Sequence, residues 1–191
     1  MKYTVVDGHC DTPMELWLRQ ENLRSNTCQV SLERAKKLSG YVQFYAFCTV
    51  WLEQDGSFEA HYAGALEHFN RQLDENKDQI VRCKNEADAR AAIGSGKCGA
   101  FLSIEGAEAI SCDPGKLELA CAQGVRMIAP AWNAQNALTG SCMTGGGLTA
   151  QGKEFVRRAQ KLGMILDVSH ISEKAFWDLC DITEKPFVAS H

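Results

Sequence analysis

The sequence has no basic run, no C-x-x-C pair, no apolar stretch long enough to cross a bilayer and no Gly-x-Gly-x-x-Gly turn after its first strand. Each absence removes a class of function. With a net charge of −4 and no basic patch, neither nucleic acid nor an anionic membrane is expected as the main partner. Without C-x-x-C, the nine cysteines form neither a zinc ribbon nor a thioredoxin-type site. Met1-Lys2-Tyr3-Thr4 leads straight into a strand, so no export leader is expected. Reduced thiols acting mostly as small buried hydrophobes are therefore expected, together with a cytoplasmic location. The missing glycine-rich turn after the first strand weakens a nucleotide-binding reading. Gly145-Gly146-Gly147 does not replace it, because no Lys-Ser/Thr follows; it reads as a flexible loop beside a site. Internal repeats, low-complexity tracts and an obvious domain linker are also missing, so residues 1–191 are expected to form a single domain.

What is present is an ordinary globular composition, 45% hydrophobic and 23% charged over 191 residues, enough for one substantial core. Strand and helix patterns alternate. Thr4, Val5 and Val6 begin a strand, and Thr12 as cap with Pro13 opens a helix. A helical piece covers Leu32 to Leu38. Tyr41 to Trp51, aromatic and β-branched, is a strand. Apolar spacing predicts a helix from Phe58 to about Asp78. Asn85 caps a shorter helix that ends near Gly94. Gly99 to Gly106 is the third clear strand, followed by a helix from Lys116 to Gln123 closed by Gly124. Val125 to Trp132 is the fourth, and a loop from Asn133 to Leu148 leads to a helix opened by Thr149 and ended by Gly163. Met164 to His170 is the fifth strand, Ser172 to Cys180 a helix, and Pro186 to His191 the sixth strand.

This alternation implies a parallel sheet with helices outside, either doubly wound or a (β/α) barrel of the TIM type. Near-continuous apolar strands suit both. Polar residues accumulate where strands stop: His9 and Asp11, Glu105, His170, and His191. Barrels build their sites at the C-terminal ends of several strands, so a barrel explains every placement at once. His9 and Asp11, two apart on a strand, can point the same way, and Cys10 between them points away. Three histidines and two carboxylates are nitrogen and oxygen donors suited to a zinc pair roughly 3.5–4 Å apart, with open coordination for water. His61 and His68 lie on the long helix and read as surface or packing residues. Asp167 falls on the opposite pleat face from His170 and reads as structural.

Asp7-Gly8-His9-Cys10-Asp11-Thr12-Pro13, Ser103-Ile104-Glu105-Gly106, Gly147-Leu148-Thr149-Ala150-Gln151-Gly152, Asp167-Val168-Ser169-His170 and the final Ser190-His191 resemble the membrane (renal) dipeptidase family in order and spacing. The resemblance covers the whole chain. It implies a metal-dependent (β/α) barrel of the amidohydrolase type, here about the first six β/α units and so a partial barrel. It also implies a binuclear zinc site that hydrolyses dipeptides through a metal-bridging hydroxide. On this resemblance His9 and Asp11 bind one zinc, His170 and His191 bind the other, and Glu105 bridges them as the catalytic carboxylate. A histidine that the family carries after the fourth strand is matched most nearly by Trp132, so Trp132 and Asn133 are expected on the substrate side. The family's arginine for the substrate carboxylate and its proton-transferring aspartate would lie beyond His191. The N-terminal part of a longer or split enzyme is therefore expected, as a homodimer or in association with the missing C-terminal part. Two other readings stay open: a metal-binding fragment without turnover, and another amidohydrolase-type enzyme such as a deaminase or lactonase.

Overall fold

The computed structural model describes residues 3–48 and 57–191. The chain divides into two compact units, Met1–Phe47 with Tyr62–Ser103, and Cys48–His61 with Ile104–His191.

In the first unit the β-branched run at Thr4 opens β1 (Thr4–Cys10), which pairs in parallel with β2 (Gly40–Phe47). Thr4 stands opposite Gly40 and Asp7 opposite Gln43, but Cys10 stands opposite Tyr45. One extra residue is therefore accommodated around Gly8 and His9. Such a bulge bends a strand end and re-aims its side chains. Helix α1 (Thr12–Arg19) starts one residue earlier than its Thr-Pro signal suggests, because Asp11 occupies the cap. Next come α2 (Leu32–Ala35), shorter than expected, and α3 (Phe58–Glu75), whose part from Tyr62 onward lies in this unit. The expected continuation of β2 through Thr49, Val50 and Trp51 lies outside the described residues.

A strand that periodicity does not announce, β3 (Ile80–Arg82), pairs in parallel with the start of β4 (Cys98–Glu105). At three residues it is too short to carry a pattern. Helix α4 (Glu86–Gly94) lies between them in sequence, and the Asn85 side chain accepts from the Asp88 amide at 2.9 Å as its cap. Residues of β2 alternate between two apolar faces. On one, Val42 and Phe44 meet Cys83, Ala92 and Phe101, with Phe44 and Phe101 stacked at 4.8 Å. On the other, Tyr45 packs on Phe69 and Phe47 on Tyr62 of α3. Burial on both faces is what a parallel strand requires.

The second unit begins with the end of β4 and two short 3₁₀ turns, Ala107–Ile110 and Pro114–Lys116. It continues with α5 (Leu117–Ala122), β5 (Val125–Ala129), α6 (Ala150–Lys161), β6 (Ile165–Leu166) and α7 (Glu173–Cys180). Strands β5 and β6 pair in parallel. Leu117, Val125, Ile128, Phe155, Val156, Leu166 and Leu179 are buried in its core. Thr149 and Ser172 cap α6 and α7 with their hydroxyls, as the sequence signals indicate.

Two strands are far shorter than the apolar pattern predicts. The fifth keeps ladder geometry only at Ile165–Leu166, and the sixth is reduced to one parallel bridge between Asp167 and Val188. The cause is local. The amides of Ser169 and Ser190 both donate to Asp167 Oδ1, so a side chain competes with the ladder for them. His170 then takes a left-handed conformation, φ 74°, which strand geometry does not allow.

Candidate metal centre

Glu105 ends β4 and is 5% exposed. In the same unit, His170 Nε2 lies 2.8 Å from Glu105 Oε1 and His191 Nε2 lies 3.2 Å from it. The two Nε2 atoms are themselves 2.8 Å apart. A carboxylate oxygen and two imidazole nitrogens thus converge on one point.

The surrounding hydrogen bonds decide where the imidazole protons sit. His170 Nδ1 is 3.0 Å from Asn133 Oδ1, an acceptor, so Nδ1 carries the proton and Nε2 the lone pair. His191 Nδ1 is 2.8 Å from Ser190 Oγ. That hydroxyl donates its single proton to Asp167 Oδ2 at 2.5 Å, so it accepts from His191 and leaves the His191 Nε2 lone pair facing inward. Asp167, 3% exposed, also receives the Ser169 hydroxyl at 2.7 Å. Both imidazoles therefore turn Nε2 toward each other and toward the carboxylate. Two imidazole nitrogens and a carboxylate oxygen are a donor set that a cation would hold together. Ligands of a tetrahedral zinc, at roughly 2.0–2.1 Å from the metal, are about 3.3 Å apart; the His191–Glu105 spacing of 3.2 Å matches this, and the two spacings of 2.8 Å are shorter. The donor set fits zinc, and each imidazole has the outer hydrogen bond that usually orients a histidine ligand.

The first unit holds the other pair. His9 Nε2 lies 3.4 Å from Asp11 Oδ1. That oxygen is buried and accepts no hydrogen bond among the described residues, the condition of a ligand atom rather than of a structural carboxylate. The His9 amide donates to Asp7 Oδ1 at 3.1 Å, fixing the bulge. Burial pushes the thiol of intervening Cys10 up to about 12, against the hydrogen bonds of Thr12 and with a smaller push from Asp7 and Asp11. All nine cysteines are free, and five of them are buried.

The loop after β5 serves this centre. Asn133, expected on the substrate side, points its side chain at His170. Trp132 stands 6.2 Å from the His170 ring, tilted by 43°. Ser141 Oγ donates to the Asn133 carbonyl at 2.5 Å, and the Cys142 amide donates to the His170 carbonyl at 2.7 Å. Gly140 is forced by a close approach: a Cβ there would lie 1.5 Å from the Gly145 carbonyl oxygen. Gly145 and Gly146 take positive φ, which glycine adopts without strain. His61 and His68 are both buried in the fold, and His68 Nε2 meets the Glu21 carbonyl at 3.2 Å. Sequence reasoning passed over Ser190 and Ser141 and placed Asp167 as structural. The available signal was a serine immediately before each of His170 and His191.

Known proteins resemble this chain in sequence and in fold. A curated protein of Acinetobacter calcoaceticus, uncharacterised and encoded in the PQQ-III 3′ region, is 36% identical over 128 residues, covering 63% of this chain and 41% of that protein. Dipeptidase tcpJ of Claviceps purpurea (strain 20.1) is 29% identical over 149 residues, covering 73% of this chain and 35% of that one. The solved structure of dipeptidase AC, a metallo peptidase of family M19, superposes with a TM-score of 0.86 at 26% identity, over 100% of this chain and 63% of that chain. The chain thus spans less than half the length of these curated relatives, and it shares the α/β fold of dipeptidase AC. A sequence model of the membrane dipeptidase family matches residues 1–191, and with that match running the whole length, this chain belongs to the membrane dipeptidase family, peptidase family M19.

Proposed function

We propose that this chain serves zinc-dependent hydrolysis of dipeptides. The observation that carries the reading is the convergence of Glu105 Oε1 with the Nε2 atoms of His170 and His191. Membership in a dipeptidase family supplies the substrate class. Glu105, His170 and His191 are the proposed ligands of one zinc, and His9 and Asp11 of a second. Two zinc ions, when bound, supply a water activated to attack near neutral pH and a Lewis acid for the scissile carbonyl.

The chain's own residues do the rest. Asn133 and Ser190 hold the imidazole protons on the outer nitrogens. Burial of Glu105 keeps bulk water from screening its charge. Trp132, beside His170, offers an apolar wall to a small substrate. A partial (β/α) barrel of about six units belongs to the same reading. Its support is the parallel pairing of β1 with β2, β3 with β4 and β5 with β6, together with the TM-score of 0.86.

Elemental analysis of protein purified without chelator, alongside amino-acid release from a dipeptide panel, tests the reading. About two zincs per chain and chelator-sensitive release are expected. A chain that binds no zinc sinks it. The 63% coverage of dipeptidase AC favours a second reading, a chain that holds metal and hydrolyses nothing by itself. Zinc bound without turnover is its signature.

A further inference from the structure

We propose that Asp167 is a positioning residue for His191, acting through Ser190 to fix which imidazole nitrogen carries the proton and which one is turned toward a metal. This rests on the zinc reading above and extends it to residues that touch no metal. In sequence Asp167 belongs with His170, three residues away. In the fold its Oδ2 instead takes the hydroxyl proton of Ser190, 23 residues on.

The relay works by hydrogen-bond polarity. A carboxylate oxygen only accepts, so Ser190 Oγ–H points at Asp167. The hydroxyl has no second proton, so it faces His191 Nδ1 with a lone pair at 2.8 Å. His191 Nδ1 therefore donates, and its Nε2 faces His170 Nε2 at 2.8 Å and Glu105 Oε1 at 3.2 Å. Asp167 Oδ1 is held separately by the Ser169 amide, the Ser169 hydroxyl and the Ser190 amide, at 3.0, 2.7 and 3.1 Å. The carboxylate is thus rigid, and the two oxygens have different work: Oδ1 ties the two segments together, and Oδ2 sets the direction of the relay. His170 is oriented by a different group, Asn133. The relay is therefore specific to His191.

Reversing the relay tests it. In Asp167→Asn the Oδ1 side keeps an acceptor, while the amide nitrogen at the Oδ2 position donates to Ser190. The hydroxyl then donates to His191 Nδ1, and the proton of the ring moves to Nε2. Ser190→Ala removes the relay and leaves the Asp167 Oδ1 bonds in place, so it serves even where Asp167→Asn does not fold. Ser190→Thr restores a hydroxyl. Two readouts are taken on the full chain: the ¹⁵N chemical shifts of the His191 ring in metal-free protein, and zinc affinity by competition with a chromogenic chelator.

Unsubstituted protein is expected to show the Nδ1–H form of His191. Ser190→Ala is expected to mix the two tautomers and weaken zinc by roughly 10–100-fold, with Ser190→Thr recovering most of the loss. Asp167→Asn is expected to give the Nε2–H form, and to weaken zinc no further when Ser190 is already alanine. The proposal is overturned if Ser190→Ala changes neither tautomer nor affinity, or if Asp167→Asn costs as much in the alanine background as alone. The ring shifts are read without metal. A chain that takes up no zinc therefore sinks the proposed function while the tautomers still decide the relay.

Discussion

The backbone amide of Cys142 donates to the carbonyl of His170 at 2.7 Å, clamping a histidine whose φ is positive, 74°. Non-glycine residues held there cost of order 1–3 kcal/mol, and the clamp offsets part of that. The antiparallel bridge of Ser141 with Ile171 flanks it on the other side. The loop after β5 therefore sets both the backbone and the ring of His170, the latter through Asn133.

Asn133→Ala is expected to remove the outer hydrogen bond of His170 without emptying the core. Zinc affinity should fall roughly 10–100-fold, while urea unfolding of metal-free protein shifts by only about 1 kcal/mol. Chelator competition and urea titration on the same preparation separate the two effects. A loss of stability without a loss of affinity would contradict the assigned orientation.

Glu105→Gln separates metal binding from folding. In metal-free protein the buried carboxylate faces two imidazole lone pairs, and an amide there donates a proton to one of them. The variant is expected to unfold a few degrees higher without metal, about 1 kcal/mol being worth roughly 2–4 °C at this size. Added zinc should raise the melting temperature of the unsubstituted chain and leave the variant nearly unmoved. Scanning calorimetry with zinc and with chelator reads both arms.

Gly152→Ala probes the junction of loop and α6. A Cβ at this position would lie 2.0 Å from the Leu138 carbonyl oxygen, a backbone atom with no rotamer to give. Thr149 is fixed at the same place, its hydroxyl donating to the Ala137 carbonyl at 2.7 Å. Overpacking of this kind costs about 1–3 kcal/mol, so a matching drop in urea midpoint is expected. An unchanged midpoint would show that the loop shifts freely.

Alkaline pH should destabilise the fold. Burial, then the charge of Glu108, pushes the Cys112 thiol up to about 12, against a hydrogen bond from the Ala137 backbone. Burial also raises Tyr45 and Tyr62 above the usual phenol range. Each group is neutral when protonated, and its folded value exceeds its unfolded one. Its contribution is thus fully present below the unfolded value, roughly 8.5 for a thiol and 10 for a phenol, and is lost as pH rises toward the folded value. Urea midpoints measured from pH 7 to 11 should hold level and then fall. Stability rising above pH 9 would reverse the sign.

The helices were legible because their signals are local. Asn85, Thr149 and Ser172 each cap through an amide three residues away, and Gly124 and Gly163 take the positive φ that ends a helix. Donor types at strand ends were legible for the same reason. Strand lengths were not: Ile80–Arg82 is too short to show a period, and the fifth and sixth strands lose their ladder to a carboxylate that apolar patterns do not register.

Which residues can donate to a metal follows from residue type and is written in the chain. Which of their atoms face it follows from hydrogen bonds between segments 37 residues apart for Asn133 with His170, and 23 apart for Asp167 with Ser190. A lone pair has no side-chain pattern of its own. Its direction is set by the partner on the far side of the ring, and only folding chooses that partner.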